Sequence, residues 1–400
     1  MKTAVPAAAA VLLCAAGWAA DAPHAVRQPA VTPPATDART RAMAAATTAF
    51  LHSLGDDQRA RVQFPFERPA KAVAVRIPHG PGGRFAFEGE QYGRAVWSNY
   101  PVSDVPRPGL RLGTLTAPQR AAALHVLQAV LSPMGYQKVR DIMDADQKLS
   151  ESGTPYDDGV DVYTMAVFGA PSDTAPWMLQ FGGHHLGINV VVAGPNVSFT
   201  PTLTGTQPAA FTRDGRTVRP LGRETDLAFR LVGTLSAAQR RKAVLNYAVE
   251  DLVLGPGHDG EALPPEGLSA AELTAAQRAL LMELVGEWVG MLNADDAAPK
   301  LARIRADLER TYFAWYGATT APGPIYFRVT GPTLHVEFAN QQWGRGPGGG
   351  GPPSGGPPTG GAPPGGGPPQ ATGVQAGGAN HVHTVYRDPT NAYGRGLAAK

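Results

Sequence analysis

This chain is nearly without cysteine. Among 400 residues there is one, Cys14, within a stretch that reads as a cleavable leader. Once that leader is removed, disulfides and thiolate chemistry are excluded, and any bound metal must be held by His, Asp or Glu. Charge is scarce too: charged residues make up 17% of the chain and the net charge is +2. No run of Lys or Arg is dense enough to track phosphates, which argues against nucleic acid as a partner. Beyond the N-terminus no apolar run is long enough for a membrane-spanning helix. Nucleophile elbow, dinucleotide fingerprint and phosphate loop are all missing. The Gly-rich run at 346–350 is no phosphate loop, because no Lys-Ser/Thr follows it and no strand–helix context surrounds it.

Glycine and proline, by contrast, are abundant, with 48 and 38 residues. Many fall in 344–378, which holds one charge (Arg345) and one aliphatic residue (Val374). Such a stretch cannot bury apolar surface, so it is predicted to be a disordered insertion, partly polyproline-like. Its two ends can still lie close, since loop-closure entropy grows only logarithmically with length. At the N-terminus, Lys2, the apolar run 7–16 and the small residues around Ala19 have the pattern of a signal peptide over 1–19. That predicts a periplasmic or extracellular protein with no stable membrane anchor after cleavage. Residues 20–39, rich in Ala, Pro and Thr, read as a flexible leader. The remainder, 40–343 with 379–400, reads as a single domain, and an apolar fraction of 43% is ample for its core.

Three stretches share one helix-start signature: Leu115-Thr116 to Gln119, Leu235-Ser236 to Gln239, and Leu273-Thr274 to Gln277. Each is a capping box, in which the hydroxyl accepts from a first-turn N–H and the Gln reaches back to the cap, with Leu as a staple. Their uneven spacing rules out a solenoid. Helices are predicted over 40–54, 117–131, 237–253, 275–292 and 299–314. Short β-branched and aromatic runs predict strands over 58–66, 72–77, 163–168, 177–181, 186–192, 325–329, 333–338 and 382–386. Helices and strands come in blocks, so the fold class expected is α+β, a largely antiparallel sheet packed with several capped helices.

The candidate site starts at Gly183-His184-His185. Strand alternation through 183–192 puts His184 with the apolar Leu186, Ile188, Val190 and Val192, and His185 with Gly187 and Asn189 on the other face. His185 is therefore the better ligand or base, with His184 and Asn189 as supporting residues. His381 and His383 are two apart, so both point to one face of a strand and can offer a metal two imidazoles from rigid backbone. His335 and Glu337 share a strand face in the same way. Glu337 is a candidate carboxylate ligand, orienter or general base. Arg387-Asp388-Pro389 is either a salt-bridged turn or an anion clamp (Arg387) with a histidine orienter (Asp388). The site expected has His185, His381 and His383 as metal ligands, Glu337, Arg387 and Asp388 in catalysis, and His184, Asn189 and His335 around them. Imidazoles with one carboxylate suit zinc, copper or iron.

Several of these residues also carry a family resemblance. Val167-Phe168-Gly169-Ala170-Pro171, Trp177 through Gly183-His184-His185 to Asn189, Thr200-Pro201, Gly331-Pro332 and Asn380-His381-Val382-His383-Thr384-Val385-Tyr386-Arg387-Asp388-Pro389 resemble the DUF3500 family, mostly secreted bacterial proteins of unknown function. The resemblance spans about 40–394, with the Gly/Pro segment as an insertion, and it implies no activity. Two functions follow from the residues themselves. One is a secreted metal-dependent hydrolase or oxidoreductase acting on a small-molecule or extracellular substrate. The other is a non-catalytic periplasmic binding or scaffold protein whose histidines are structural or store metal.

Overall fold

The computed structural model describes residues 37–340, apart from 81, 82, 84 and 322, and residues 378–397. The expected signal peptide, nearly all of the leader and all of the insertion except Gly378 lie outside the described residues.

Among the described residues one sheet of twelve strands forms the frame. Ten lie in the order Gln63–Phe64, Thr164–Phe168, Trp177–Gly183, Leu186–Ala193, Thr202–Thr206, Val382–Arg387, Leu334–Asn340, Ile325–Gly331, Tyr312–Gly317 and Leu268–Ser269. Leu110–Arg111 and Asn196–Ser198 pair alongside. All pairings are antiparallel except Gln63–Phe64 with Thr164–Phe168. A smaller antiparallel sheet of Val73–His79, Phe85–Tyr92 and Ala95–Ser98 stands beside it. The fold is α+β with a largely antiparallel sheet, as the blocks of strands and helices predict.

Period-2 alternation gives the large sheet two different faces. One presents Leu186, Ile188, Val190, Val192, Val336, Phe338, Phe327 and Trp315 to the main apolar core. Helices Ala38–His52, Ala117–Val130, Pro133–Glu151, Gly222–Thr234, Ala275–Val289 and Ala294–Ala306 supply buried side chains to that core. All three capping boxes form, at Thr116/Gln119, Ser236/Gln239 and Thr274/Gln277. The opposite face carries His383, Arg387, Glu337 and His335, with Gly187, Asn189 and Gly205 on the neighbouring strands.

Several expectations give way to long-range partners. The helix read over 237–253 stops at Ala243, because Leu245 N donates to Trp315 O (2.7 Å) and the chain leaves as irregular loop. The helix read over 299–314 runs instead over Ala294–Ala306, and its last residues become the Tyr312–Gly317 strand. Residues 58–66 are mostly the short helix Asp56–Val62. Helix Pro133–Glu151 escaped the sequence reading, although Ser132-Pro133 is a clear start: the Ser hydroxyl accepts from Gly135 N (3.0 Å) and Pro occupies the first turn. Asn340 pairs with Val382, so the ends flanking the Gly/Pro segment are neighbours in the sheet.

Candidate metal centre

The site begins at a turn. Only His184 and His185 join Trp177–Gly183 to Leu186–Ala193. His185 has φ 59°, a left-handed conformation in which His is enriched over most side chains. Its N–H donates to Asn99 O (3.3 Å), and its carbonyl accepts from Gly205 N (2.7 Å). Strand alternation therefore does not extend to these two residues, and their rings do not part to opposite faces. They stack, with centroids 3.7 Å apart and planes 25° from parallel.

The second half of the site comes from the last described strand, Val382–Arg387, and from His381 just before it. Gly205 lies opposite His383 in register. A Cβ there would fall 2.8 Å from Val382 O and 3.1 Å from the His185 ring, so glycine is what lets the turn histidine reach its partners. His381 Nε2 lies 2.8 Å from His185 Nε2 and 2.9 Å from His383 Nε2. All three rings offer a ligand nitrogen within 4.8 Å of the others, inside the reach of one metal ion. Tetrahedral nitrogens bound at about 2.0–2.1 Å sit about 3.3 Å apart, so an ion would spread the rings by only a few tenths of an ångström.

The protonation pattern also favours a cation. His383 Nδ1 donates to Asp251 Oδ1 (2.8 Å), so Nε2 is the nitrogen left to offer a lone pair to an ion. Burial, then the neighbouring His184, His381 and His383, hold His185 well below the ordinary imidazole range; burial, then His383 and His184, do the same for His381. One N–H on His381 Nε2 could serve one neighbour but not both, so one close contact would face lone pair to lone pair. A shared cation satisfies all three nitrogens together. His185 is 1% and His383 2% exposed, while His381 is only partly buried, so the approach lies on its side.

The other predicted residues are placed as follows. His184 Nδ1 meets Asp146 Oδ1 at 2.8 Å and Asp158 Oδ1 at 3.1 Å. Burial opposes its charge, but the two carboxylates prevail and raise it to about 9. Asp146, His184 and His185 also lie within metal-binding distance, yet His184 Nδ1 already meets both carboxylates, which favour the charged form of the ring stacked on His185. Asn189 accepts from Gln180 (2.8 Å) and donates to Pro201 O (2.9 Å), tying strands together away from the imidazoles.

Glu337 is not brought to the three histidines as ligand or orienter. Its oxygens accept from Val253 N (2.7 Å), Leu254 N (2.7 Å), Tyr326 Oη (2.8 Å) and His335 Nε2 (2.8 Å). Burial opposes its charge, but His335 and the two N–H groups hold its carboxyl down at about 2. Arg387 pairs with Glu90 (2.6 Å) and donates to Leu254 O (2.8 Å) and Gly255 O. Asp388 pairs with Lys300 and accepts from Thr390 N (2.9 Å), the salt-bridged turn rather than a histidine orienter. A cleft of about 410 Å³ lined by Leu254, His335, Arg387 and Asp388 lies on that side, and none of the three clustered histidines lines it.

The orienting carboxylates that sequence reading missed are Asp251, Asp146 and Asp158. Asp146 sits with Ile142 and Leu149 among the buried residues of its helix, and an acid on an apolar stripe is a legible signal. Asp251 stands beside the apolar run 252–254 just before Gly255-Pro256-Gly257, where a helix ending was to be expected. Tyr100, partly buried, is kept protonated beyond the ordinary phenol range by burial and then by the charge of Asp251.

Fold and site together define an α+β protein with a buried three-histidine cluster backed by carboxylates. Residues 84–395 match the family model described as "Protein of unknown function (DUF3500)", and the chain belongs to that family. No curated protein and no solved structure matches it.

Proposed function

We propose that His185, His381 and His383 bind one divalent transition metal ion, with zinc, copper and iron all suited to a nitrogen donor set, and that the protein is an exported metal-dependent enzyme. The observation that carries this reading is the convergence of three Nε2 atoms with Asp251 behind His383, the carboxylate–histidine–metal arrangement that fixes tautomer and ring orientation. Three protein ligands with one approachable side is the pattern of catalytic rather than structural sites. Bound there, the ion would supply Lewis acidity for hydrolysis of a small-molecule or extracellular substrate, or, as copper or iron, a redox centre for its oxidation. Tyr100 adds a protonated phenol near Asp251.

Metal analysis of untagged protein purified from cells tests the reading. One equivalent of metal, lost in His381→Ala and His383→Ala, is expected; metal-free protein that refuses zinc, copper and iron on addition would sink it. The near-complete burial of His185 and His383 favours a second reading, a structural or storage site. Turnover on a panel of esters, amides and phosphoesters separates the two. Export is expected to yield a mature N-terminus near residue 20, and Met1 retained on the protein from its native host would refute it.

A further inference from the structure

We infer that Glu337 and Arg387 are positioning residues of the metal centre, acting on it through the backbone of 253–255. This rests on the metal reading above. From 245 to 267 the chain has neither helix nor strand, yet this segment delivers Asp251 to His383. Where this segment is buried, at Leu254 and Gly255, its backbone must find hydrogen-bond partners that no strand ladder provides. Here charged side chains provide them. Two residues beyond Asp251, both oxygens of Glu337 take the N–H groups of Val253 and Leu254. Arg387 then takes the carbonyls of Leu254 and Gly255. Glu90 neutralises Arg387 and accepts from Gly257 N (2.9 Å).

Burying three charges is costly unless each is fully paired. Helix or turn backbone could have been satisfied more cheaply by neutral groups. What the charges add is placement. Glu337 and Arg387 lie on the same sheet face as His383, in register through Val385 and Ala339. One rigid surface therefore carries both the ligand and the groups that hold the ligand's carboxylate partner. The distance from Asp251 to His383 is set by the sheet rather than by the loop. An Arg that looks like an anion clamp and a Glu that looks like a ligand thereby act on the metal without touching it.

The test uses the full-length protein and three variants: Asp251→Asn, Glu337→Gln and the double. Gln keeps the shape of Glu but turns an NH₂ group toward an N–H donor. Zinc affinity by chelator competition and the visible spectrum of the cobalt(II) form are measured. Asp251→Asn is expected to weaken zinc 10- to 100-fold and to alter the cobalt spectrum. Glu337→Gln should reproduce both changes, and the double variant should be no worse than the poorer single, since the two act on one contact. Wild-type affinity and spectrum in Glu337→Gln, or losses that simply add, would overturn the inference. Should Glu337→Gln fail to fold, Arg387→Lys, which keeps the charge but not the two-carbonyl fork, is read in the same way. If the wild type takes up neither metal, the metal reading fails, and positioning is read on the protein alone. The downfield proton NMR signal expected of His383 Nδ1–H should then shift upfield or broaden in Glu337→Gln as in Asp251→Asn; an unchanged signal in Glu337→Gln would overturn the inference.

Discussion

The two faces of the large sheet are covered in opposite ways. One is packed by helices through Leu, Val, Phe and Trp, and its contacts are non-directional. The other is packed by a small sheet and an irregular loop through His335, Glu337, Arg387 and Glu90, all buried and all hydrogen-bonded to named partners. The first face provides stability that depends on volume and apolar area. The second adds individual bonds to smaller apolar clusters, such as Trp97 with Leu203 and Val385, and the histidine cluster sits there. A metal centre of the kind proposed, whose nitrogens must be held to within tenths of an ångström, is better served by directional contacts whose failure is expensive.

Breaking one bond on the polar face should therefore cost as much as emptying a large hole on the apolar one. Glu90→Ala leaves Arg387 buried without its carboxylate, and a loss of about 3–5 kcal/mol is expected. Phe327→Ala, which removes a ring stacked 5.0 Å from Phe338, should also cost about 3–5 kcal/mol. Denaturant unfolding measures both. The comparison is sharpened by metal uptake, which Glu90→Ala should impair and Phe327→Ala should leave intact; equal uptake in the two would blur the distinction between the faces.

The pH response comes next in size. The folded pKa of His184 is raised from 6.5 to about 9, so the stability it contributes is complete below 6.5 and lost as pH climbs through 9. That of Glu337 is lowered from 4.5 to about 2, so its contribution is complete above 4.5 and lost as pH falls toward 2. Each shift corresponds to roughly 3 kcal/mol. His185 and His381, whose folded pKa values are depressed, lose their contribution as pH falls below 6.5, so stability should peak near pH 6.5 and fall on both sides, with the alkaline slope removed in His184→Asn. An alkaline slope that survives that substitution would assign it to other groups. Smaller still is the cap on the helix side: Thr274→Ala, which removes the hydroxyl accepting from Gln277 N (3.2 Å), should cost about 1 kcal/mol and leave metal uptake unchanged.

The same contrast explains what could be read in advance. The helix-packed face announces itself locally: Leu186, Ile188, Val190 and Val192 alternate, and Thr274 with Gln277 marks a helix start within four residues. His381 and His383 were legible because two histidines two apart must share a face. The polar face is built from partners far apart in sequence. Asp251 lies 132 residues from His383, and Glu90 lies 297 from Arg387. No local pattern pairs them. Residues 245–253 have helical propensity, but the bonds to Trp315 and Glu337 override it, and only the assembled sheet supplies those bonds. The His184–His185 pair was misjudged for a related reason, since a two-residue turn without Gly, Asn or Asp carries little turn signal.

The order in which the strands occur along the chain carries one more consequence. Val382–Arg387 is the last strand in sequence among those described, yet it lies in the middle of the sheet, between Thr202–Thr206 and Leu334–Asn340. Until it arrives, a nascent chain holds two half-sheets, each with an unpaired central edge open to association with other chains. The strand that closes this gap also delivers His381 and His383. Assembly of the sheet and completion of the three-histidine cluster are therefore one event, which waits for residues 381–387. On the proposed reading of an exported metal enzyme, a chain held unfolded in transit has no finished cluster, so the ion would be taken from the compartment in which the sheet closes.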